Sequence, residues 1–251
     1  MARAIITNMT EITIIMSDQE GSLSQLALLR QQSWMSPAFP IGAYSYSHGI
    51  EWAVEAGDIY NRETLVDWLE ADLLFGTGRN EAVFFLEAWN CAANDDREKL
   101  VDVSELAAAF RGSSEFALES SQQGMACLDT FQKVWPDRFL KSFSTSLFEC
   151  GITPVLAVVL GVRSARQGIS STLALPAFLQ AYTANLVAAG TRLIPLGQTD
   201  GQRAISELEE PVLQASAKAQ QATLQDLGSA AFMVDLSSAY HETQYTRLFR
   251  S

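Results

Sequence analysis

Apolar residues recur at three- and four-residue steps along most of the chain from Leu23 onward, and no segment shows the strict alternation of a half-buried strand. The pattern predicts an all-α, single-domain bundle of roughly nine to ten helices with no sheet. The first helix runs from Leu23 to Trp34, and the second from Tyr44 to Ala56 with Gly57 as its C-terminal cap. Asn61 caps a third through Leu65, Trp68, Leu69 and Leu73, and Asn80 caps a fourth through Val83, Phe84, Ala88 and Cys91. From Ser104 to Trp135 the pattern stays helical around Gly112 and Gly124, the latter expected to admit a close helix contact. Thr153 and Pro154 start a helix whose run Val155 to Val162 is apolar on nearly all sides and therefore belongs at the centre. A helix near Leu173 to Leu193 should hold Pro176 in its first turn, and Asp200–Leu208 and Val212–Leu227 complete the body. Residues 1–22 read as a flexible extension, 23–228 as the helical domain, and 229–251 as a docking tail of that domain.

Three stretches depart from plain amphipathic patterning. In the first, Pro37 and Pro40 fix φ and bias Ser36 and Phe39 away from helix, so that a helix begins only after Pro40 and Gly42. On it Tyr44, His48 and Glu51 or Trp52 share one face, and Tyr46, Ile50 and Ala53 a second. Phe39 and Tyr44 read first as packed rings. Ser47, His48 and Glu51 anchor the proline loop or face a partner, since a buried Glu must be paired or neutralised. In the second stretch Thr199-x-x-Gln202 has the form of a capping box, and Asp200 suits the positive helix N-terminus. Arg192 and Gln198 flank it as donors suited to a carboxylate or phosphate. The third is the tail, where His241, Glu242, Tyr245, Arg247, Leu248, Phe249 and Arg250 carry too many large apolar groups for a disordered segment. It is expected to dock on its own body, a second copy or a partner.

The block Pro37-Ala-Phe-Pro-Ile-Gly-Ala-Tyr-Ser-Tyr-Ser-His-Gly-Ile-Glu51 resembles the signature of the urease accessory protein family UreF, with Ile50 where leucine is usual. The blocks Arg192-Leu-Ile-Pro-Leu-Gly-Gln-Thr-Asp-Gly-Gln202 and His241 to Ser251 support the same resemblance, which spans roughly residues 23–251. One departure is Thr153, where many relatives would have histidine before the proline. The resemblance implies a homodimeric helical scaffold that binds a UreD/UreH-type accessory protein, recruits the GTPase UreG and serves nickel incorporation into apo-urease. It implies no tightly bound cofactor, with nickel handled transiently by the assembled complex. It also favours ordering of the tail on complex formation, and raises stimulation of GTP turnover by Arg192 as a further role.

Composition narrows the classes. The chain has 251 residues, 48% of them hydrophobic, and a formal net charge of −12, which opposes nucleic-acid binding. Cys91, Cys127 and Cys150 are odd in number and widely spaced, and read as small buried hydrophobes rather than a disulfide framework. Neither a leader nor an apolar run approaching ~18 residues is expected, which points to a cytoplasmic chain with no membrane contact. There is no P-loop sequence, nucleophile elbow, Cys-x-x-Cys pair or His-Glu-x-x-His helix. His48 with Glu51 makes half a metal site without a third ligand at helical spacing, so no resident metal is expected. The remaining alternative to a scaffold is a helical enzyme with a carboxylate-based site around Glu51, His48 and Tyr44.

Overall fold

The computed structural model describes residues 25–251. The expectation for residues 1–22 lies outside the described residues. Residues 25–34 form α1. After it come α2 (Ile50–Ala56), α3 (Arg62–Phe75), α4 (Thr77–Ala93), α5 (Arg97–Ala109), α6 (Ser114–Val134) and α7 (Arg138–Glu149). The body continues through α8 (Leu156–Arg166), α9 (Ser171–Leu193), α10 (Gln198–Glu207), α11 (Glu209–Ala219) and α12 (Phe232–His241). No strand occurs among the described residues, so the all-α assignment holds.

Helices α4 and α8 pack most extensively and form the centre, with α3, α5, α6 and α9 around them. Ala157 to Ser164 of α8 are all buried, as the all-round apolar run requires. Two glycines make this packing possible. A Cβ on Gly161 would lie 2.3 Å from the Phe85 carbonyl oxygen of α4, and one on Gly124 of α6 would lie 2.4 Å from the Pro154 carbonyl oxygen. The backbone entering α8 thus crosses α6 at Gly124. Val155 stays extended there, and the helix starts at Leu156, two residues beyond the expected Pro154.

Local signals hold at several ends. Gly57 caps α2 with φ +83°, and Asn61 with Thr64 forms a capping box on α3. Elsewhere tertiary contacts override them. Gly76 precedes α4, and Asn80 lies inside that helix, where its side-chain oxygen accepts the Gly228 N–H at 3.1 Å. Helix α7 has no counterpart in the sequence-based assignment, although Phe139, Leu140, Phe143 and Leu147 form a buried stripe and Asp137 caps it. Because α9 opens at Ser171, Pro176 falls in the second turn instead of the first. Helix α11 ends at Ala219, and a separate 3-10 turn covers Leu224–Asp226. Cys91 and Cys127 are buried, and burial pushes the Cys91 thiol up to about 11, but Cys150 is exposed. Helix α9 is, among the described residues, the one helix long and apolar enough to cross a bilayer by length and composition, and half of that window is buried in the bundle.

Gly161→Ala should destabilise the protein by about 3 kcal/mol, because backbone must move to admit the methyl group. Gly168→Ala should cost about 1 kcal/mol, since the site is open and only its φ of +70° opposes the change. Urea unfolding of the two variants checks the order.

Candidate functional site

The expected helix from Tyr44 to Ala56 is broken. Gly42 is left-handed, Ala43–Ser45 form a single 3-10 turn, Tyr46 is extended, and α2 begins only at Ile50. The reason lies some two hundred residues away in sequence. Ser45 gives its carbonyl to the Arg250 N–H at 2.9 Å, and the Ser47 N–H donates to the Ser251 carbonyl at 2.7 Å. Backbone groups that a helix would use internally are thus committed to the tail. His48 and Gly49 then reverse the chain with φ of +58° and +79°. Glycine is required at the second position, where a Cβ would lie 2.8 Å from the Ser238 nitrogen.

This reversal delivers Ser47, His48 and Glu51 into a buried polar cluster, where α6 supplies Glu115 and Glu119. Glu51 Oε1 accepts the Leu248 N–H at 2.6 Å. Its Oε2 accepts the Phe249 N–H at 2.9 Å and lies 3.1 Å from His241 Nε2. The His241 ring bridges onward, with Nδ1 at 2.7 Å from Glu115 Oε2, and the Arg247 guanidinium donates to Glu115 Oε1 at 2.8 Å. Glu119 Oε2 faces His48 Nδ1 at 3.2 Å and accepts the Ser251 hydroxyl at 3.0 Å. Glu242 reaches back to accept the Ser114 N–H at the start of α6. The tail therefore packs on its own body. All three carboxylates and both imidazoles are buried. Among the described residues no group of three or more His, Cys, Asp or Glu is arranged to hold a metal ion.

Burial opposes the charged form of His48, but Glu119, with Asp72 and Glu81 beyond it, outweighs that effect and raises its pKa above the ordinary 6.5. The ring stacks on Phe116 at 3.9 Å between centroids. Burial, then the adjacent Asp72, pushes the Tyr182 phenol well above its ordinary value, consistent with its hydroxyl donating to Asp72 at 2.7 Å.

On the other side of Glu119 lies a groove of about 430 Å³. Phe39 and Tyr44 from the proline loop form one wall, and α9 forms the other. Arg192 and Gln198 stand at its end, and Glu119 and Gln123 line its interior. The groove thus brings together the first two sequence motifs. Phe39 is buried, whereas Tyr44 is 70% exposed, so the expectation of two packed rings holds for Phe39 alone. The Asn185 amide donates to the Ala43 carbonyl at 3.1 Å and ties the loop to α9. Arg192 donates to the Ala188 carbonyl and lays its guanidinium 4.3 Å from the Phe249 ring centroid, linking the second motif to the tail.

The capping box at Thr199 is not formed. Gly197 is the N-cap of α10, so Thr199 is already helical, and no side chain caps the first turn. Gln198, Thr199 and Gln202 are exposed, and Asp200 pairs with Arg203 at 3.0 Å. Pro40, Tyr245, Arg247, Leu248 and Arg250 are also exposed, while His241 and Phe249 are buried. Sequence reasoning missed Glu115 and Glu119. Their signal was a stripe of Glu115, Glu119 and Gln123 at four-residue steps, beside the apolar Phe116 and Cys127 of the buried face of α6.

A family model described as UreF matches residues 59–209. A urease accessory protein UreF of Rhodopseudomonas palustris (strain BisB5) is 46% identical over 225 residues, covering 90% of this chain and 91% of that protein. The protein of the same name from Bradyrhizobium diazoefficiens is 46% identical over 90% of this chain and 92% of its own length. The one from Granulibacter bethesdensis is 45% identical over 92% and 97%.

Glu51→Gln keeps the shape but replaces one of the two accepting oxygens with an NH2 donor, so that either the Leu248 or the Phe249 N–H loses its acceptor. It should cost about 2 kcal/mol in urea unfolding and raise amide exchange at Leu248 and Phe249. His48 binds its proton more tightly when folded, so its contribution to stability is complete below pH 6.5 and is lost as pH rises through the higher folded-state pKa. Denaturation midpoints measured across this window should decline in the wild type, and His48→Gln should remove that part of the slope.

Proposed function

The chain belongs to the UreF family of urease accessory proteins, and on that premise we propose that it is a scaffold required for nickel incorporation into apo-urease. It binds a UreD/UreH-type partner and recruits the GTPase UreG, working as a cytoplasmic homodimer. The observation that carries this reading is the groove between the proline loop and α9, where two separated sequence motifs form one surface with an uncovered apolar wall. The alternative of a carboxylate-based site is less well supported, since both Glu51 oxygens are taken by the tail and His241, while Tyr44 lines the groove and His48 a separate small cavity. Nickel is cargo of the assembled complex, and this chain's residues organise the proteins that carry it.

The test uses cells that hold every other urease gene and lack this chain. Urease activity and urease-bound nickel should fall to background and return on complementation with the intact sequence. Active, nickel-loaded urease in the deletion strain would end the proposal.

A further inference from the structure

Helix α9 is apolar beyond what its own fold covers. Ala181, Ala184 and Ala188 repeat at three- and four-residue steps along the groove, the first two half-buried and Ala188 exposed. Small side chains on this face leave room that Phe39, Leu156, Leu160 and Phe178 line with apolar surface. From Ala181 to Arg192 the wall extends about 16 Å at the helical rise. One end of it is cationic, with the Arg192 guanidinium on the Ala188 carbonyl and against the Phe249 ring and no carboxylate paired with it among the described residues. The adjoining first turn of α10 has no side-chain cap. The acid nearest in sequence, Asp200, is already paired with Arg203. Glu119, inside the groove, is likewise engaged by His48 and Ser251. In a chain of net charge −12, this is an apolar slot with a cationic end.

We infer that the groove receives a segment of a partner protein that inserts an aliphatic or aromatic side chain against the alanine face of α9 and presents a carboxylate to Arg192 and the N-terminus of α10. The inference rests on the scaffold reading above and specifies the chemistry of one docking contact. The apolar anchor supplies most of the affinity by displacing water from the alanine face. The carboxylate fixes its direction and makes association weaken with salt. A basic segment is disfavoured at the same end by Arg192. A wholly apolar segment would leave the exposed N–H groups of α10 facing it without acceptors.

The experiment measures binding of the full chain to a purified UreD/UreH-type protein and to purified UreG at two salt concentrations. Ala188→Trp blocks the groove from an exposed position, and Arg192→Glu reverses the charge at its end. Each should weaken binding of the same one of these two proteins roughly tenfold or more, and the reversal should also flatten the salt dependence. Amide protection at Leu248 and Phe249 is followed in parallel, so that a loosened tail is distinguished from a lost carboxylate contact. Wild-type affinity in Ala188→Trp for both proteins overturns the inference. Loss in Ala188→Trp with unchanged binding in Arg192→Glu overturns the carboxylate and leaves an apolar contact alone. In either case the maturation role survives if urease from the deletion strain still lacks nickel, because that measurement does not depend on the groove.

Discussion

Glu51 is the point on which the two ends of the described chain meet. Its carboxylate is buried, and an unpaired charge there would cost several kcal/mol. The tail supplies the donors that offset this cost, two backbone N–H groups and the His241 ring. Those donors in turn require the backbone to be extended around Leu248 and Phe249 and the proline loop to be open enough to pair Ser45 and Ser47 with Arg250 and Ser251. The left-handed pair His48 and Gly49 follows, because the chain must leave that pairing and enter α2 within two residues. A single buried acid thus dictates loop conformation, tail course and the glycine at position 49.

The same logic repeats at Glu115 and Glu119, which face the tail from α6. Three buried carboxylates against Arg247 and two imidazoles form a network in which every carboxylate has partners. Such a network contributes specificity more than net stability, since an apolar replacement of the whole set would avoid its desolvation cost. What the polar version provides is a tail held in one register. An apolar tail could slide along an apolar surface, but one whose successive amides reach two oxygens of one carboxylate cannot.

How much of this was legible in the sequence depended on the range of the interactions involved. The Asn61 cap, the Gly57 stop, the central α8 and the close approach at Gly124 follow from local rules, and the sequence shows them directly. The segment from Tyr44 to His48 has helical spacing, yet its backbone partners are in the tail, which no local pattern encodes. Thr199 and Gln202 satisfy a capping motif by type, but Gly197 begins the helix two residues earlier. Asn80 has the residue type of a helix cap, whereas its side chain accepts from the Gly228 amide across the fold. Helix α7 is legible in the sequence, since its stripe of Phe139, Phe143 and Leu147 has the ordinary amphipathic period. The first and third motifs meet in the buried cluster, whereas Thr199 and Gln202 of the second stay exposed. What the motifs left out were the partners on α6, whose glutamates look like surface residues until the tail covers them.

The groove and the tail share two residues, and magnitudes decide how strongly one influences the other. Arg192 touches both the groove and the Phe249 ring, a contact worth about 0.5–2 kcal/mol. Glu119 lines the groove and holds His48 and Ser251. Against this, the bonds from Leu248, Phe249 and Arg247 to Glu51 and Glu115 are charge-assisted, each worth about 1.5–3 kcal/mol, and none passes through the groove. Drawing Arg192 away from Phe249 therefore loosens one ring of the tail without detaching it. The tail is thus held mainly by contacts that lie outside the groove.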